Sequence, residues 1–82
     1  MYTRHEEFSK VAAALGRVIR ERRHHIGRSG AAVAQLAGMD RTYLSMIERG
    51  IRQPTVAMLI KVARALDAKP ESLLAETLRF LG

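Results

Sequence analysis

Apolar residues early in the chain recur three and four positions apart: Phe8, Val11, Ala12, Leu15, Val18, Ile19 and Ile26, with Lys10, Arg17, Arg20 and Arg23 set between them. That spacing gathers the apolar side chains onto one stripe and predicts a first amphipathic helix. His24 and His25 supply cations for a last turn and Gly27 suits a left-handed cap, so the helix is expected to stop near His25. Ser29 can cap a second helix, Gly30 to Ala37, in which Ala31, Ala32, Ala34 and Ala37 leave room for a close neighbour while Val33 and Leu36 anchor it. Gly38 and Met39 break that helix.

Asp40 offers an N-cap carboxylate for a third helix, Arg41 to Arg49, with Leu44 and Ile47 facing inward and Gly50 ending it. Ile51 to Pro54 reads as a loop. Thr55 then caps a fourth helix, Val56 to Leu66, whose Leu59, Val62, Ala63 and Leu66 share one side. After a break at Asp67 to Lys69, Pro70 suits the first turn of a fifth helix. There Glu71 favours the helix dipole, and Leu73, Leu74, Leu78 and Leu81 form an apolar stripe. No strand pattern, internal repeat or long linker interrupts this order, so residues 1–82 are expected to form a single all-α domain of five helices.

With 82 residues and no Cys, disulfides and thiolate metal sites are excluded. A domain of this size buries only about 60% of the surface of its unfolded chain, so its stability must come from dense helix packing or a partner subunit. No apolar run approaches the roughly 18 residues of a membrane span, and the first residues lack a signal peptide's apolar core, so a cytoplasmic location is expected. Fourteen Lys and Arg against eight Asp and Glu leave a net charge of +6, and residues 1–30 alone contribute +4. That excess favours a polyanionic partner.

No nucleophile with a neighbouring base, phosphate-cradling loop or pair of carboxylates occurs at a spacing that catalysis requires, so no enzyme activity and no cofactor are expected. His24 and His25 are adjacent and project about 100° apart on a helix, which suits a helix end better than a metal site. No metal is therefore expected.

The informative stretch runs from Ser29 to Arg49, where a short small-residue helix, a glycine turn and a second helix follow the grammar of a helix-turn-helix. A recognition helix must project base-reading side chains from its first turn while its other face stays anchored. Arg41 can donate twice to a guanine edge, Thr42 can donate, accept or touch a thymine methyl, and Met46 can meet methyls one turn later. Tyr43, Ser45, Arg49, Arg52 and Gln53 can bond phosphate oxygens, and the Ser29 cap opens the second helix toward the DNA backbone. The plain alternatives are a solvated arginine at position 41, a surface filler at Met46 and a tyrosine at 43 that covers the edge of the core.

On these residues the chain resembles the lambda-repressor-like, xenobiotic-response-element family. The likeness covers roughly residues 11–76 and rests on Leu15-Gly16-Arg17-Val18-Ile19-Arg20 with Arg23, on the Ser29 to Ala37 helix, and on Gly38 to Gly50 followed by Arg52-Gln53-Pro54-Thr55. Asp40-Arg41-Thr42-Tyr43-Leu44-Ser45 followed by Ile47-Glu48-Arg49 is similar to the recognition helix of restriction-modification controller proteins, which are small dimeric regulators. The resemblance implies a bacterial or phage-encoded homodimer on a pseudo-palindromic operator. Arg41 and Thr42 would face bases, Arg23 and Glu48 would form a buried structural ion pair, and the fourth and fifth helices would carry the dimer interface. A stripe such as Leu73, Leu74, Leu78 and Leu81 is more often intramolecular core, but in so small a domain part of it is expected to be buried against the second subunit.

One departure stands out. The family usually follows the capping Ser or Thr with a Gln that holds phosphate, and here that position is Gly30. Either Arg28 takes over the phosphate or each half-site binds more weakly. Two other functions share the fold: an antitoxin-like module that masks a partner protein, and a nonspecific nucleoid binder. About seven residues precede the first helix and Gly82 follows the last, which leaves little chain for a masking arm. The Arg41-Thr42 pair argues against purely nonspecific binding. Whether RNA polymerase is a further partner is left open by the sequence.

Overall fold

The computed structural model describes residues 4–82, which form five helices and, among the described residues, no strand. They are α1 (Arg4–His25), α2 (Gly30–Ala37), α3 (Arg41–Glu48), α4 (Val56–Ala65) and α5 (Pro70–Leu81). The expected ends of the third and fourth helices, Arg49 and Leu66, are C-caps just outside the last helical residue.

The caps explain why the helices start and stop where they do. Ser29 Oγ accepts from Ala32 N at 3.1 Å and Thr55 Oγ1 from Met58 N at 3.1 Å, so each satisfies one of the otherwise unpaired first-turn donors. Asp40 does not cap as expected: its backbone is extended but its side chain makes no capping bond. The exposed carboxylate acts only through its charge at the start of α3. At the other ends the chain turns through left-handed residues. After α2, Gly38 (φ 69°) allows Met39 N to bond Ala34 O at 2.9 Å, and after α4 the same turn is made by a non-glycine, Asp67 (φ 52°).

Packing places α1 against α3 and α5, α2 against α3 and α4, and α4 against α5. Val18, Ile19, Val33, Leu44, Ile47, Val62, Leu66 and Leu73 are all essentially sealed from solvent and meet in one core. Burial of each large aliphatic side chain contributes roughly 1.5–3 kcal/mol. Three residues placed on inward stripes by the spacing argument lie elsewhere. Phe8 is exposed on α1, Leu36 is exposed because α2 turns its Val33, Ala34 and Ala37 side inward, and Ile26 lies just beyond α1 and packs at the core's edge.

The fifth helix requires a larger correction. Leu73 is only 2% exposed and belongs to the monomer's core, so it is not available to a partner, whereas Leu74, Leu78 and Leu81 face solvent. The stripe thus divides between an inward member and an outward row. Thr77 is buried beside Leu73 and donates its hydroxyl to the Leu73 carbonyl at 2.8 Å, which satisfies the one polar side chain on the inward face.

Two glycines set how closely α1 crosses the end of α3. A Cβ at Gly16 would lie 2.7 Å from the Glu48 carbonyl oxygen, and one at Gly50, whose φ is 76°, would lie 2.9 Å from the Ala13 Cα. The backbones touch there, which fixes α3 to the first helix.

Candidate nucleic-acid interface

Two apolar anchors hold α3 in place. Leu44 and Ile47 are sealed in the core, and Tyr43 is half-buried and packs against it. The 3.6-residue period then turns Arg41, Thr42, Ser45 and Arg49 outward, while Met46 is half-buried. Arg41, Ser45 and Arg49 are four residues apart and line one edge of the helix. Among the described residues, the side chains of Arg41, Thr42 and Arg52 carry no hydrogen bond or ion pair, so they are free to meet an external ligand.

An ion pair behind this face fixes its orientation. Arg23 of α1 donates from Nε to Glu48 Oε2 at 2.7 Å and from Nη2 to Glu48 Oε1 at 2.9 Å, with side-chain exposures of 16% and 9%. This fork-on-fork geometry occupies both carboxylate oxygens. A third bond from Arg23 Nη1 to the Arg28 carbonyl at 3.1 Å ties the start of the turn into the same brace. The bonds to Glu48 raise the Arg23 guanidinium above its ordinary value against the opposing effect of burial, so its charge is fixed.

Two residues expected at the DNA backbone are already engaged within the chain. Arg28 donates from Nη1 to the Ala65 carbonyl at 2.6 Å and pairs through Nη2 with Asp67 Oδ2 at 2.9 Å, so its guanidinium is turned to the end of α4. The cause is local: the last carbonyls of α4 need donors, and Arg22 supplies more, to Leu66 O at 3.2 Å and Asp67 O at 3.0 Å. Gln53 is half-buried and donates to the Phe8 carbonyl at 3.3 Å, which ties the loop after α3 to α1.

Gly30 opens a shallow cleft between the start of α2 and the face of α3, lined by Arg23, Ser29, Arg41, Leu44, Ser45 and Glu48. A Cβ there would meet only Arg41 Nε at 3.9 Å and Arg23 Cζ at 4.0 Å, which is ordinary contact. Space therefore does not demand glycine. Sequence reasoning missed the structural weight of Gly16, Gly50 and Arg22; a glycine inside the apolar spacing of a long helix was the available signal for the first of these.

A capped helix, a left-handed turn, and a second helix anchored on one face with cations and hydroxyls on the other define a helix-turn-helix. Residues 19–74 match the helix-turn-helix family of the lambda-repressor-like type, and the chain belongs to that family. It is 37% identical over 58 residues to the HTH-type transcriptional regulator Rv0474 of Mycobacterium tuberculosis, covering 71% of this chain and 41% of that protein. The chain thus spans under half the length of that relative. The restriction-modification controller protein C.AhdI from Aeromonas hydrophila is 37% identical, with a TM-score of 0.74 over 76% of this chain and 94% of that one. The controller C.Esp1396I, solved as a tetramer with its 35 base-pair operator, is 24% identical with a TM-score of 0.78, covering 87% of this chain and 93% of that chain. That last likeness concerns the fold.

Proposed function

We propose that the protein binds operator DNA as a homodimer and regulates transcription in the manner of a restriction-modification controller, with α3 of each subunit in the major groove of one half-site. Arg41 and Thr42 read base edges and Met46 meets methyls one turn later. Ser29, Tyr43, Ser45, Arg49 and Arg52 hold the backbone, while Gln53 braces the loop from within. The observation that carries this reading is the division of α3: Leu44 and Ile47 are sealed in the core, while Arg41 and Thr42 open the helix exposed and without intramolecular partners. The outward row Leu74, Leu78 and Leu81 on α5 supplies an apolar face for the second subunit.

A competition experiment at fixed salt tests it. The duplex upstream of the protein's own coding sequence, labelled and titrated by fluorescence anisotropy, should resist scrambled competitor and bind with two subunits per site. Equal competition by scrambled DNA would leave nonspecific packaging, and no binding to either duplex would leave a protein-masking role.

A further inference from the structure

Arg20 on α1 has no role in the reading above and has no acidic partner at helical spacing. Positions three and four residues away on the helix are Gly16, Arg17, Arg23 and His24, none of them acidic. The nearby carboxylates are already committed: Glu21 accepts from Arg17 Nε at 3.1 Å, and both oxygens of Glu48 are taken by Arg23. Arg20 is exposed and, among the described residues, makes no hydrogen bond or ion pair.

The cleft it borders is lined by Arg20, Arg23, Ser45, Glu48 and Arg49. Arg49 makes only one long bond, from Nε to the Ser45 carbonyl of its own helix at 3.4 Å. Two uncompensated guanidinium groups from different helices therefore flank one cleft. This cleft shares Arg23, Ser45 and Glu48 with the cleft beneath Gly30 and Arg41, so the cationic edge of α3 continues without a break onto α1. A line of cations this long fits an extended polyanion better than a single small anion.

We propose that Arg20 binds a phosphate of the DNA backbone together with Arg49, which makes α1 part of the DNA interface. The inference rests on the DNA-binding reading of α3. It adds a contact that positions the protein on the duplex and reads no base.

Salt titration separates the two. Affinity is measured for the parent protein, Arg20→Ala, Arg20→Lys, Arg41→Ala and, as a control on the exposed part of α4, Arg64→Ala, each on the upstream duplex and on its scrambled form. Arg20→Ala is expected to weaken both duplexes about tenfold at low salt and to lower the slope of log K against log salt by about one per subunit. Arg20→Lys should restore most of the loss and Arg64→Ala should change nothing. Because Arg20 is exposed and unpaired, thermal unfolding of the variant should match the parent, and Arg20→Gln provides a second neutral variant. Parent-like affinity and slope in Arg20→Ala, with Arg41→Ala weakened, would overturn the proposal and leave the DNA reading intact. Parent-like binding in both variants would overturn both.

Discussion

Arg23 and Glu48 are 25 residues apart in sequence and are joined by two charge-assisted hydrogen bonds, 2.7 and 2.9 Å long, that fix the first helix to the last turn of α3. Removing one partner leaves a mostly buried charge without its counter-ion. Glu48→Ala should cost about 3 kcal/mol in urea unfolding, at the low end for such pairs because Arg23 keeps some solvent contact. The double replacement Arg23→Met with Glu48→Leu should cost less than the two single changes added together.

Two glycines should respond in opposite directions to the same substitution. Gly16→Ala forces a methyl into the Glu48 carbonyl and should lower stability by about 3 kcal/mol or more, since the obstruction is backbone. Gly30→Ala meets nothing closer than 3.9 Å and should raise stability by about 0.4–1 kcal/mol by restricting the unfolded chain. Thermal unfolding decides both, and a stabilised Gly16→Ala would show that α1 and α3 are not in backbone contact.

Arg41→Ala should leave the unfolding midpoint unchanged, because the side chain has no partner within the chain. On the specific duplex it should cost about 1–3 kcal/mol of binding, with a smaller loss on scrambled DNA. An equal loss on both would assign Arg41 to the backbone instead of the bases.

The fifth helix separates core from interface. Leu73→Ala should destabilise the fold by about 2–5 kcal/mol, as for a fully buried leucine. Leu78→Glu places a charge on a side chain that is 65% exposed and should leave the monomer folded while shifting sedimentation to the monomeric species. A Leu78→Glu variant that stays dimeric would place the subunit contact elsewhere.

Much of this arrangement was legible because the signals are local. The spacing of Leu15, Val18 and Ile19 and the caps Ser29 and Thr55 act within a turn or two of helix, and the structure places those helices where the pattern does. What was not legible depends on partners far away in sequence. Arg28 reads as a free cation beside a helix start, but the end of α4, 37 residues on, needs its donors. Helical spacing already sets Leu73 apart from the row of Leu74, Leu78 and Leu81, but which of the two faces turns inward depends on how α5 lies on α1 and α4. Gly16 stands within a normal helical pattern, and only the approach of α3 shows why a larger residue would not fit there.

In the proposed binding mode α3 reads sequence, once per subunit, across a two-fold axis. Selecting binding sites from a random duplex DNA pool with the purified protein, and sequencing the survivors, tests it most directly. An inverted repeat with guanines at matched half-site positions is expected, lost in the pool selected by Arg41→Ala. Strong, salt-sensitive binding that enriches no motif would contradict it.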